Sequence, residues 1–169
     1  DHFALPSDAM AMAQCSGTLH RNFQGYSLHG GADLLGMGIS AISQIGALYA
    51  QNHRQIDTWQ SAVQNDEMPV AQGYVLDRDD QIRRDMIMSL LCHLEVDLAA
   101  FDDRWAIQTT HYFADELAAL AAFERDGLVR RDGRRLHLTD SGRLAARAVA
   151  MCFDRYHSPA DTVRFSRII

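Results

Sequence analysis

Residues 20–43, HRNFQGYSLHGGADLLGMGISAIS, gather aromatic, amide and glycine residues around a short apolar run and contain no acid, base or nucleophile pair arranged for catalysis. The chemistry open to such a stretch is holding a molecule, since amides donate and accept hydrogen bonds without titrating. Residues able to ligate metal are scattered. Cys15, Cys92 and Cys152 lie 77 and 60 residues apart, which fits no zinc ribbon, redox pair or cluster-binding run. Their apolar surroundings, such as SLLCHL and VAMCFD, predict reduced thiols buried on helix faces. The eight histidines show neither HxxxH nor HExxH spacing, so each is expected to be an ordinary surface or hydrogen-bonded imidazole.

Charge narrows the field further. A net charge of −6 argues against generic binding to nucleic acid or anionic membrane, whose phosphates need a basic face. One stretch departs from this balance: residues 125–147 hold seven Arg against Asp126, Asp132 and Asp140. All 16 basic residues are Arg, a bias attributable to genome composition. No apolar run approaches the ~18–20 residues of a membrane span, and DHFALPSDAM lacks the regions of a signal peptide, so the expected location is cytoplasmic. The chain is 169 residues long and 47% hydrophobic, enough for one domain or two small ones. Its first residues read as the middle of a longer protein, and a fragment is expected.

Several elements would position these groups. SDAMAMAQCSG (7–17) predicts a helix capped by Ser7 or Asp8 and stopped at Gly17. LLGMGI (34–39) predicts a buried strand running into a turn or helix start at SAIS, because short apolar runs of this length are commonly core strands. HRQIDTWQSAVQND (53–66) predicts a surface helix, with MPV at 68–70 closing the region. From Gly73 the pattern turns helical. Asp77 should cap a helix with Asp79 and Asp80 in its first turn, and Ile82, Met86, Ile87, Leu90, Leu91 and Leu94 form an apolar stripe. A second helix is predicted over 112–124 on Phe113, Leu117, Leu120 and Ala121, ending near Gly127. LVRRDGRRLHLT then reads as a hairpin about Asp132-Gly133, and Thr139 should cap a last helix through Tyr156 with Leu144, Ala148, Met151 and Cys152 inward. Helix, helix, hairpin, helix is a winged-helix-like order. It raises a nucleic-acid-binding alternative in which Arg130, Arg131, Arg134 and Arg135 reach phosphates, against which 15 acids outnumber 13 Arg over 79–169.

HRNFQGY, LLGMGISAIS with YAQN, DRDDQIRRDMIMSLLC, FADELAAL with DGLV, LHLTDSGRLAAR, AMCFDRY and the terminal FSRII, taken in order, resemble the C-terminal part of oxygen-independent coproporphyrinogen III oxidases. The resemblance covers essentially the whole chain. It implies a two-part architecture: residues 1–70 as an α/β remnant of a radical-SAM barrel, and residues 71–169 as a mainly helical, winged-helix-like α+β domain with a β-hairpin. It further implies oxidative decarboxylation of two propionates of coproporphyrinogen III to give protoporphyrinogen IX, using S-adenosyl-L-methionine (SAM), a 4Fe-4S cluster and an electron donor. The family's positions matching Phe23, Gln24 and Ile42 help bind SAM, where an aromatic and an aliphatic side chain flank the ligand and an amide hydrogen-bonds it. Gly36 and Gly38 would permit close backbone approach. The cluster ligands belong upstream of Asp1, so no catalytic residue and no metal ligand is expected here, and the chain alone should be inert. The C-terminal region is implied to help enclose the substrate. Among radical-enzyme relatives a haem chaperone is the alternative, against which HRNFQGY and FSRII favour the oxidase.

Overall fold

The computed structural model describes residues 4–157, so the terminal FSRII lies outside the described residues. The chain divides into two compact units, Asp1–Arg84 and Asp85–Ile169. The first runs α1 (Ala9–Cys15), β1 (His20–Asn22), β2 (Gly25–Ser27), β3 (Ile42–Ile45), β4 (Leu48–Asn52), α2 (Ile56–Gln64), β5 (Val70–Val75) and into α3 (Arg78–Cys92). The second continues with β6 (Glu95–Asp97), α4 (Leu98–Trp105), α5 (Thr109–Tyr112), α6 (Ala114–Ala119), α7 (Ala121–Arg125), β7 (Val129–Asp132), β8 (Arg135–Leu138), a 3-10 turn (Gly142–Ala145) and α8 (Ala146–Met151). Every strand pairing among the described residues is antiparallel. Both units are therefore α+β, which corrects the α/β expectation for the first: β1-β2 and β3-β4 follow one another too closely for parallel crossovers, and β5, although it comes after α2, pairs antiparallel with β4.

In the first unit, Asp8 caps α1 by accepting the Met10 N–H at 2.8 Å. Strands β1 and β2 form a two-residue hairpin with Phe23 and Gln24 at the turn, since Asn22 pairs with Gly25. The three-stranded sheet has the order β3-β4-β5, with an irregularity between Gln51 and Asn52. Strand β5 was not foreseen, because MPVAQGYV is largely exposed along its length and lacks the alternation that marks a half-buried strand.

The expected strand over 34–39 does not form. Leu34 makes one isolated bridge to Gln44, and the chain then becomes a loop with Leu35 69% and Met37 92% exposed. Positive φ at Gly38 (+100°) and Ser40 (+55°) breaks the extended run, a conformation that apolar character cannot forecast. The strand starts instead at Ile42, where a turn or helix start was expected. The loop is tied to the sheet by Asn52, which is 6% exposed and donates from Nδ2 to the carbonyls of Gly36 (3.2 Å) and Gly38 (2.9 Å). Gly36 N–H donates to Ser43 Oγ at 3.0 Å. A Cβ at Gly36 would stand 2.7 Å from the Ile42 carbonyl carbon and oxygen, so the close approach that this glycine allows is to β3.

Helix α3 follows its sequence signals. Asp77 Oδ1 accepts the Asp80 N–H (2.8 Å) and Asp80 Oδ2 accepts the Asp77 N–H (3.1 Å), a reciprocal cap. Ile82, Met86 and Leu90, spaced by four, are buried, whereas Ile87, Leu91 and Leu94 are half-buried.

The second unit packs Phe101, Phe113, Leu117, Leu120, Val129, Leu136, Val149 and Phe153 into its core, with Phe113 and Phe153 edge to face at 5.3 Å. Its sheet has the order β6-β8-β7, and the tight turn is Gly133-Arg134, as Asp132 pairs with Arg135. Two features differ from expectation. The helix predicted over 112–124 is three short helices, with Ala121 exposed. The last helix opens as a 3-10 turn and ends at Met151, not Tyr156. Four residues at 3.0 per turn rotate the side chains by roughly 80° relative to an α-helix. Leu144 is consequently 87% exposed, Ala148 and Met151 also face solvent, and Ala146, Val149, Ala150 and Phe153 take the core.

Carboxylates organise this unit. Asp97 caps α4 through the N–H groups of Ala99 (2.9 Å) and Ala100 (3.2 Å). Asp102 accepts the N–H of Thr109 at 2.6 Å and also its hydroxyl, while Arg134 donates to the other carboxylate oxygen. Burial pushes the Asp102 carboxyl up, but the Thr109 and Arg134 hydrogen bonds outweigh it and hold the group below its ordinary 3.8. A carboxyl depressed on folding adds stability above its unfolded pKa, and that stability disappears as pH falls through the folded value. Asp102→Asn should therefore lower the thermal midpoint at pH 7, with the gap to the parent chain narrowing as pH falls below the ordinary carboxyl value of 3.8; a gap independent of pH would contradict this. Asn52→Ala should cost ~1–3 kcal/mol in denaturant unfolding, because two loop carbonyls lose their donor.

Candidate functional site

Side chains alternate along a strand, so in-register residues on neighbouring strands stand in rows on one face. Ile42 pairs with Gln51, and Gln51 with Gln72; Gln44 pairs with Tyr49, and Tyr49 with Tyr74. One face of the β3-β4-β5 sheet thus carries an Ile-Gln-Gln row beside a Gln-Tyr-Tyr row. The β1-β2 turn delivers Phe23 against it, edge to face with Tyr49 at a centroid distance of 5.1 Å and 79°. The resulting cleft has a volume of ≈ 360 Å³, within the range of small-molecule sites.

Orientation within the cleft is set by hydrogen bonds. Gln72 Nε2 donates to Gln51 Oε1 at 2.9 Å, and Gln51 Nε2 donates to the Ser40 carbonyl at 3.2 Å. The Tyr74 hydroxyl donates to Asp80 Oδ2 at 3.1 Å, which fixes that ring beside the reciprocal cap of α3. Gly73, opposite Ala50, offers no side chain to fill the groove. Among the described residues no carboxylate, imidazole, thiol or guanidinium lines the cleft. Aromatic rings, one branched aliphatic chain and amides suit a planar, hydrogen-bonding, uncharged group, which can stack on the rings and be read by the amides.

Of the three residues singled out in the sequence, Phe23 and Ile42 line this cleft together although 19 residues separate them. Gln24 sits beside Phe23 at the hairpin turn, exposed, its N–H donating to Asn22 Oδ1 at 2.9 Å, and is not among the lining residues. Tyr49, Gln51, Gln72 and Tyr74 were missed. A signal for them exists: YAQ at 49–51 and QGY at 72–74 are mirror-image alternations of an aromatic and an amide, as two strands sharing a face would require.

The remaining candidates resolve into structural roles. Cys15 is exposed and Cys152 half-buried, correcting the expectation that all three thiols are buried; Cys92 alone is. Burial raises the Cys152 thiol above its ordinary pKa. Among the described residues no group of three or more His, Cys, Asp or Glu could hold a metal ion, and no helix is long and apolar enough to cross a membrane. On the hairpin, Arg131 pairs with Glu124 and donates to the Leu117 carbonyl at 2.8 Å. Arg134 pairs with Asp102 and donates to the Leu98 carbonyl at 3.1 Å, and Arg135 lies 3.9 Å from Asp97.

Comparison with known proteins places this geometry in context. Residues 76–145 match the HemN C-terminal domain. Along all of its length the chain is 45% identical to oxygen-independent coproporphyrinogen III oxidase of Pseudomonas aeruginosa, covering 37% of that protein, and 46% identical to that of Escherichia coli, again covering 37%. The solved structure of coproporphyrinogen III oxidase (HemN) from Escherichia coli, described as a radical SAM enzyme, superposes with a TM-score of 0.90 at 46% identity, over 93% of this chain and 36% of that one. The chain therefore spans little more than a third of the length of these relatives. Residues 76–145 thus match the HemN C-terminal domain, and the chain as a whole is similar to the C-terminal part of oxygen-independent coproporphyrinogen III oxidases.

Proposed function

We propose that this chain forms one wall of the SAM site and the closing helical domain of an enzyme that decarboxylates two propionates of coproporphyrinogen III, giving protoporphyrinogen IX in the cytoplasm. The observation that carries the reading is the meeting of Phe23 and Ile42 on one uncharged aromatic and amide cleft. That lining fits the adenine and thioether portions of SAM: rings and Ile42 supply apolar surface, and Gln51 and Gln72 supply hydrogen bonds. Gln24, at the turn that presents Phe23, adds an amide at the rim. When bound, SAM together with a 4Fe-4S cluster supplies the one-electron chemistry that begins hydrogen abstraction from a propionate. The described residues do not fit the cluster, whose ligands in this reading lie elsewhere in the parent protein. The task of this chain is to bind, orient and exclude water.

In this reading residues 1–70 belong to the barrel domain and 71–169 to the domain that helps enclose substrate, with β5 staying in the β3-β4-β5 sheet of the first unit. A winged-helix-like identity for the latter is supported by β6 preceding the helices and pairing with β8 of the hairpin. The ion pairs of Arg131, Arg134 and Arg135 favour a structural hairpin over one that grips nucleic-acid phosphates.

In the complete enzyme, Phe23→Ala and Gln24→Ala should each weaken SAM binding by ~1–3 kcal/mol, and Ile42→Asp should do more by placing a charge against an apolar wall. Equilibrium binding of SAM, conversion of coproporphyrinogen III, cluster content and thermal unfolding are the readouts, with the exposed Leu144→Ala as a neutral control. Unchanged binding and turnover in both Phe23→Ala and Gln24→Ala would dispose of the proposed cofactor role.

A further inference from the structure

A second concavity in the first unit, of ≈ 260 Å³, lies apart from the aromatic cleft and has the opposite character. Its lining includes His20, Arg21, His29, Asp33, Gly46 and Arg84. We propose that it binds a carboxylate, held by the guanidinium groups of Arg21 and Arg84.

Three observations support this. Among the described residues neither arginine makes an ion pair, in contrast to Arg131 and Arg134 of the hairpin. Two guanidinium groups line one concavity beside a single carboxylate, Asp33, and cations facing a partly desolvated hollow attract an anion more strongly than they would in open water. Both side chains are also held in place. Arg21 is half-buried, with its guanidinium carbon 5.0 Å from the centroid of Tyr26, its cross-strand partner. Arg84 Nη1 donates to the Gly46 carbonyl at 3.2 Å. Donors fixed before the ligand arrives lose less freedom on binding, and the planar guanidinium fork matches the two oxygens of a carboxylate. Finally, the one acid among the described lining residues is already engaged: Asp33 Oδ1 accepts the Gly46 N–H at 2.8 Å. Its charge sets a limit on affinity, leaving the lining with one net positive charge when both imidazoles are neutral. The imidazole of His20 lies against Gly30, where a Cβ would stand 1.9 Å from Nε2, so a glycine at this position leaves the ring its place in the lining.

The carrier of the carboxylate is inferred from the function proposed above, whose substrate bears four propionates; the pocket itself does not depend on that reading. The test uses the chain as it is, with side-chain NMR of the arginines and titration at constant ionic strength. Sodium propionate should shift the Arg21 and Arg84 Nε–H signals. Arg21→Gln and Arg84→Gln should each raise its Kd at least fivefold, and the double variant should abolish binding. Arg130→Gln, on the exposed hairpin, should change nothing. Equal propionate binding by parent and double variant overturns the proposal, as does equal weakening by Arg130→Gln or inorganic phosphate binding more tightly than propionate. If Arg84→Gln disturbs folding, as thermal unfolding would reveal, Arg21→Gln alone decides. A separate arm compares coproporphyrin III with its tetramethyl ester. Tighter binding of the acid, lost in the double variant, supports both readings; propionate binding without preference for the acid keeps the pocket and removes the substrate assignment.

Discussion

The carboxamide of Asn52 is the contact on which the candidate site depends. It sits where the pairing of β4 with β5 slips, and from there it donates to two carbonyls of the 36–38 loop, while the Asn52 backbone N–H donates to the Ala41 carbonyl at 2.9 Å. A buried amide is costly unless satisfied, and satisfying it requires the loop to fold back on the sheet. That return places Ile42 opposite Gln51, which in turn sets the rows of side chains that make the cleft. The apolar loop residues follow passively, left in solvent because their backbone, not their side chains, is what the sheet holds.

The second unit applies the same logic with carboxylates. Its helices between Leu98 and Arg125 are short, four to eight residues each, well below the length at which a helix is stable alone. Asp97 and Asp102 supply what propensity cannot. One starts α4, and the other starts α5 while accepting Arg134 from the hairpin turn. Asp97 is held below the ordinary carboxyl range chiefly by the Ala100 and Ala99 N–H groups, the physical signature of a helix cap. Phe113 and Phe153 then close the apolar interior around these polar joints.

Elements with a strong local cause were legible in the sequence: α1 from its aspartate cap, α3 from Asp77 and the four-residue spacing of Ile82, Met86 and Leu90, and the β7-β8 hairpin from Asp132-Gly133. Those set by tertiary context were not. LLGMGI is as apolar as a core strand, but its conformation is decided by Asn52, 14 residues beyond Gly38. The phase of the last helix turns on a 3-10 opening that periodicity cannot register, and β6 and α4 are short enough to hide inside a helical reading. At the site, Phe23 and Ile42 came from resemblance alone. The partners that make them a cleft, Tyr49, Gln51, Gln72 and Tyr74, emerge only when the strand register is known.

The exclusive use of arginine acquires a different meaning once the hairpin is in view. Arg131 and Arg134 each bind a carboxylate and a backbone carbonyl at once, a division of labour suited to a planar group with five donors and poorly matched by the single ammonium of lysine. A bias that begins with nucleotide composition can in this way become irreversible. After the fold has come to tie a carboxylate and a backbone carbonyl to one guanidinium, a shift in genome composition toward lysine codons would change the surface freely but would meet resistance at these two positions.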